Sequence, residues 1–141
     1  MGHGLRDFVT RQEAAGDVLR IKPEIDTISE IGAVIARSDY EKIGKGLLFE
    51  NPKDYHIPVF ANTIGSTYRR IAESFGVDEA RAVPGAAERM RAAMMNPIAP
   101  IHVGRDDAPC QEVVLTGEDI DLGILPILRL NPEDGSKSRD F

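Results

Sequence analysis

The chain has 141 residues, 42% apolar and 28% charged, with 23 acidic against 17 basic side chains for a net charge of −6. This length suffices for one domain that buries about two-thirds of its unfolded surface. The acidic balance argues against nucleic acid as a partner, which needs a concentrated basic face, and no apolar run approaches the ~20 residues that cross a bilayer.

The N-terminal MGHGLRDF lacks the basic and apolar regions of a signal peptide. Arg6 stands where a myristoylation signal wants a small hydroxyl residue, so the expected compartment is the cytoplasm. Leu5, Phe8, Val9 and Ala15 recur at helical spacing, and Gly16 ends that helix. Residues 17–22 (DVLRIK) alternate as a strand, with Val18 inward, Leu19 and Ile21 as further inward candidates, and Pro23 closing it. Thr27 and Glu30 fit a capping box, followed by an apolar stripe of Ile28, Ile31, Val34 and Ile35 in a helix to about Ser38. Residues 39–46 read as a loop.

Residues 47–50 (LLFE) and 57–61 (IPVFA) are two strand-length runs, and the turn NPKDYH between them predicts that they share a sheet. Ser66 is placed to cap a helix over 67–75, with Gly76 as its left-handed stop and Asp78 capping one further turn. Pro84 suits the first turn of a helix over 86–95, whose expected buried face is Met90, Ala93 and Met94. Residues 96–109 read as a loop, Val113 and Leu115 as inward positions of a strand into the Gly117 turn, and Asp121 as the cap of a single turn carrying Leu122 and Leu125. The tail 131–141 is polar. Helices and strands mix without strict alternation, which predicts a single α+β domain with a small mixed sheet.

Few side chains carry chemistry. His3, His56 and His102 are far apart and form no paired-ligand pattern, so none is assigned as a ligand. Cys110 is the only cysteine, which excludes an intrachain disulfide; placed where a strand should begin, it reads as a small, partly buried apolar residue. Gly44-Lys45-Gly46 lacks the spacing of a phosphate loop. Glu118, Asp119 and Asp121 read as an acidic turn rather than a metal or catalytic group. Arg69-Arg70 and Lys137/Arg139 read as solvated surface, although Gly65-Ser66 at a helix start with Arg69 and Arg70 is the best local anion site. No serine lies in a nucleophile elbow. From these residues alone there is no self-contained active site.

The ordered string LRDFV (5–9), GDVLRI (16–21), IDTISEIGAV (25–34), GLLFEN (46–51), IPVFANTIGSTYRRIAESFGV (57–77) and EVVLTGEDIDLGILPI (112–127) resembles the N-terminal domain of the UbiD-like decarboxylases. The resemblance runs from about Leu5 to Ile127, and the last block is its most specific part. It implies a family of reversible decarboxylases acting on aromatic, heteroaromatic or α,β-unsaturated carboxylic acids. These use prenylated FMN, with a divalent metal and a monovalent cation at its phosphate. In that family the catalytic and metal-binding motifs lie in a later flavin domain and none occurs here. The resemblance therefore implies no catalytic, cofactor-binding or metal residue in this chain.

The expected organisation is an N-terminal domain over 1–127, with 128–141 as a polar tail or the start of a linker to an absent flavin-binding domain. The family commonly continues through an Asp-Gly-Gly turn; here the turn is Asp134-Gly135-Ser136. Two expectations follow: a domain of a longer enzyme, or a separate small subunit docking on a catalytic one, in either case within an oligomer. A non-catalytic accessory or regulatory subunit and a small-anion-binding domain over Gly65 to Arg70 are the alternatives.

Overall fold

The computed structural model describes residues 4–64, 67–131 and 134. Helix α1 (Leu5–Ala14) leads into strand β1 (Val18–Ile25), α2 (Glu30–Tyr40) crosses over to β2 (Gly46–Pro52), and β3 (Val59–Ala61) follows. The sheet order is β1-β2-β3; β1 and β2 run parallel, β2 and β3 antiparallel. A parallel pair requires a crossover, and α2 supplies it. Helix α3 (Tyr68–Phe75), a single 3₁₀ turn (Glu79–Arg81) and α4 (Ala82–Met95) complete the regular part. The chain is thus the single α+β domain with a small mixed sheet that its pattern predicts.

The core lies between α2 and one face of the sheet. Ile31, Leu47 and Phe49 are wholly buried and Ile25 nearly so, with Ile21, Val34, Ile35, Val59, Ala61 and Leu128 packed around them. Leu47 and Phe49 share a face because side chains alternate along a strand, and Ile31, Val34 and Ile35 share one because helical neighbours recur every three and four residues. Gly16 (φ +73°) and Gly76 (φ +61°) end α1 and α3 as expected, in a conformation that side-chain-bearing residues adopt at a cost.

Several expectations are corrected. Strand β1 does not stop at Pro23 but continues to Ile25; its pairing with β2 slips between Ile21 and Glu24, so the residue without an N–H sits at the irregularity of an edge strand. Thr27 does not cap α2. Glu30 does reach back as a capping box requires, but to the N–H of Asp26 at 2.7 Å. Thr27 is buried, and its carbonyl accepts the N–H of Arg129 at 3.1 Å while Ser29 donates to the Arg129 carbonyl at 2.9 Å. This pairing holds residues 27–29 out of helical geometry, and α2 begins behind Ser29 at φ +69°.

The cap of α3 is Thr67, whose hydroxyl accepts the Arg70 N–H at 3.3 Å; Ser66 lies outside the described residues. Asp78 caps its turn through Ala80 N–H at 2.8 Å, and Asp121 caps the turn Leu122–Ile124 through Gly123 N–H at 2.7 Å, both as expected. The face of α4 is misread by its periodicity: Met90 and Met94 are 55% and 79% exposed, and the buried residues are Ala82, Gly85 and Ala86. Small residues win that face because α4 lies close to Val77, where a Cβ on Gly85 would come within 3.0 Å of the valine Cβ. The strand expected at Val113 and Leu115 does not form, and both side chains are exposed. Alternation provides a face, but a strand also needs a neighbour, and the described sheet takes no fourth strand.

Candidate functional site

The residues with chemical potential are scattered. His56 and His102 are exposed, and His3 lies outside the described residues. Cys110 is exposed in a 3₁₀ turn (Pro109–Gln111) instead of being partly buried at a strand start. Glu118 and Asp119 sit in a 3₁₀ turn, and the Asp121 carboxylate serves its own backbone. Among the described residues, no three His, Cys, Asp or Glu side chains converge at metal-ligand distance. Gly65, Ser66, Lys137 and Arg139 lie outside the described residues.

The basic pair on α3 departs furthest from its sequence reading. Arg70 is not solvated but wholly buried. Its two terminal nitrogens donate to the carbonyls of Gly44 and Asn62, and its Nε has no partner. Gly44 (φ +67°) and Asn62 (φ +54°) both take left-handed conformations in the turns that supply these acceptors. Behind them, the Asn62 amide donates to the Asp39 carboxylate at 3.3 Å. Burial, followed by the neighbouring positive charge of Arg69, pushes the Arg70 pKa below its ordinary value. A guanidinium nevertheless stays charged at neutral pH. Arg69 pairs with Asp17, the residue just before β1. Neither guanidinium is thus displayed as a free anion receptor at the start of α3. Sequence reasoning misses this hub because an arginine beside another arginine carries no burial signal, and charged residues are rarely fully buried.

A second network joins α1 to the sheet. Arg20 on β1 donates to Glu13 at 2.6 Å and to Glu50 at 2.5 Å, and these hydrogen bonds raise its pKa. The group is exposed, so its contribution is that of a surface pair.

Beyond α4 the chain is an arm rather than a layer. Ile98, Ile101, Val103, Val113, Ile120 and Leu122 are 95%, 87%, 62%, 76%, 59% and 65% exposed. Soluble monomers rarely leave such a concentration of large apolar side chains uncovered without an interaction to serve. The arm returns to the domain at Leu128, which reaches the core, and at Arg129, which bridges to Ile28. Two depressions of about 410 and 440 Å³ flank Arg89 on α4. No described helix is long and apolar enough to cross a membrane.

Comparison with known proteins gives this geometry its setting. The fold is similar to an evolved dimeric form of the UbiD-class enzyme HmfF from Pelotomaculum thermopropionicum in complex with prFMN, with 32% identity and a TM-score of 0.72 over 90% of this chain and 28% of that one. The same enzyme in complex with FMN gives 32% identity and a TM-score of 0.73 over 89% and 26%. Vanillic acid decarboxylase of Sedimentibacter hydroxybenzoicus, in open form, gives 29% identity and a TM-score of 0.74 over 94% and 28%. The chain thus spans little more than a quarter of the length of those enzymes. The sequence pattern of the 3-octaprenyl-4-hydroxybenzoate carboxy-lyase N-terminal domain matches residues 9–90, more than half of the chain and the whole of the Gly44–Asn62–Arg70 hub. On that match, the chain belongs to the UbiD N-terminal domain family.

Proposed function

We propose that this chain is the non-catalytic N-terminal part of a UbiD-like (de)carboxylase acting on aromatic or α,β-unsaturated carboxylic acids. In this reading residues 1–127 form the domain and 128–141 lead toward the flavin-binding body, which holds the prenylated FMN, its divalent metal and its monovalent cation. The domain packs against that body and helps to wall the substrate cavity. A cytoplasmic location and an oligomeric assembly belong to the same reading.

The observation that carries the proposal is the arm. Its exposed isoleucines and valines follow a domain whose fold, in the similar enzymes, accounts for only 26–28% of the chain. Apolar surface of this kind is stabilised by roughly 25 cal/mol for each Å² removed from water, so a docking body is the natural cover. No residue of this chain is assigned to the flavin or to carbon dioxide release.

Purification from the native source tests the proposal. A flavin-binding body should accompany the chain, either on the same polypeptide or as a second one, and the length of the native polypeptide distinguishes domain from subunit. The isolated 141-residue chain should bind no stoichiometric flavin. A tight flavin complex on the isolated chain would overturn the assignment.

A further inference from the structure

Helix α4 has two apolar faces, and among the described residues only one of them is covered. Ala82, Gly85 and Ala86 are buried on the side of α3 and Val77. Val83, Ala87, Met90 and Met94 form a second stripe. At about 100° per residue these four fall within an arc of about 60°, roughly a third of a turn around the helix from the buried face. Val83, Met90 and Met94 are 55%, 55% and 79% exposed, and Ala87 is exposed with them. The polar side of the helix, with Glu88 and Arg91, lies beyond the stripe.

The spacing of the stripe is 4-3-4, the repeat by which one helix packs along another at a crossing angle of about 20°. A sheet edge would require backbone donors and acceptors, which an α-helix has already used internally. The stripe covers three turns, about 16 Å of helix. Two of its four members are methionines, whose unbranched side chains adapt to a facing surface. Ile98 and Ile101, just beyond the end of the helix, are exposed as well.

The length of the similar enzymes indicates which partner is available. In them this fold occupies 26–28% of the chain, so the remaining body is more than twice as large and covalently attached. A tethered partner acts at an effective concentration in the millimolar range, which a second free copy cannot match.

We propose that the stripe Val83, Ala87, Met90 and Met94 seats an α-helix of the flavin-binding body, packed lengthwise along α4. This inference rests on the function proposed above and adds the surface and the kind of element that fills it.

Photocrosslinking in the assembled enzyme tests it, whether the chain is continuous with the flavin-binding body or joins it as a subunit. The photoreactive residue p-benzoylphenylalanine is placed singly at Ala87, at Met94, at Glu88 on the polar side and at Ile101 in the arm. These are exposed positions, where a larger side chain leaves the fold intact. The expected result is several-fold more cross-linking from positions 87 and 94 than from 88, to flavin-body residues three or four apart in sequence. Equal yields from 87, 88 and 94 would overturn the proposal, as would links from the stripe to alternating strand residues or to a second copy. If Ile101 links the flavin body and the stripe does not, the stripe proposal fails while the domain reading stands. If no position links a flavin-binding body and none co-purifies, both fail.

Discussion

Gly32 and Leu130 meet backbone to backbone: a Cβ on Gly32 would lie 3.1 Å from the carbonyl oxygen of Leu130 and 3.3 Å from its Cα. Together with the Ile28–Arg129 bridge, this contact lays residues 128–130 across the first turn of α2. The exit of the arm is therefore anchored on the helix that covers the core. Any body that follows it starts from a defined point on the domain.

Replacing Gly32 with alanine separates two effects. Alanine is about 1 kcal/mol better than glycine in a helix, but its methyl group pushes against backbone that cannot yield without opening the bridge. We expect Gly32→Ala to leave the global unfolding free energy in urea within about 1 kcal/mol of wild type. The amides of Ser29 and Arg129 should exchange roughly tenfold faster, the factor that corresponds to 1.4 kcal/mol of local opening. Unchanged protection of both amides would show that Leu130 is not held by the close approach.

Arg70 presents a sharper case. Its guanidinium donates to the Gly44 and Asn62 carbonyls from two nitrogens held in one plane, a fixed fork that the rotating donors of a compact ammonium do not reproduce. Arg70→Met leaves both carbonyls without that donor and should cost roughly 2–5 kcal/mol. Arg70→Lys, which keeps the charge but loses the fork, should lie between Arg70→Met and wild type in urea denaturation. A methionine variant within about 0.5 kcal/mol of wild type would mean that the turns at 44 and 62 hold their shape without the arginine.

The first residue of β2, two places after Gly44, has no room for a side chain. A Cβ on Gly46 would fall 2.7 Å from Cζ and 2.9 Å from Cε2 of Phe60 on the neighbouring strand. Gly46→Ala should destabilise the domain by about 1–3 kcal/mol, the usual cost of overpacking. Adding Phe60→Leu, which withdraws the ring edge, should recover part of that loss. Thermal unfolding of the single and double variants measures the recovery; strictly additive losses would place the strain elsewhere.

The residues that proved legible are those whose partners lie near in sequence. The α2 stripe from Ile31 through Val34 to Ile35 (though not Ile28, which lies before the helix and is exposed), the existence of the strand pair read at 47–50 and 57–61, the Gly76 stop and the turns capped by Asp78 and Asp121 each follow from spacing within a dozen residues. The misreadings share a different cause. Thr27 is turned away from capping by Arg129, a hundred residues on. Arg70 is buried by carbonyls from two separate turns, and the stripe on α4 carries a core-like period while facing outward. A period reports that a face is apolar and leaves open what covers it. The order of motifs, by contrast, pointed to the family that the pattern over residues 9–90 shows.

Gln12 gives the last prediction, and it depends on pH. It is buried at 1% exposure on α1, donates to the Glu73 carboxylate of α3 at 2.6 Å, and has no partner at Oε1. Gln12→Glu would place two carboxylates a hydrogen bond apart, with Arg11 only partly offsetting them from 3.7 Å. Burial and like charge both raise the folded-state pKa of the new acid above its unfolded value of about 4.3. The folded state then holds the proton more tightly than the unfolded state, so stability falls as pH rises from about 4.3 through the folded-state value. The unfolding free energy of Gln12→Glu from urea denaturation should approach wild type near pH 4 and fall about 2–4 kcal/mol below it at pH 7. Gln12→Met, which removes the hydrogen bond without adding charge, should run parallel to wild type across that range. If the Gln12→Glu curve also ran parallel, residue 12 would not face Glu73 in solution, and α1 would be packed against some other part of the domain.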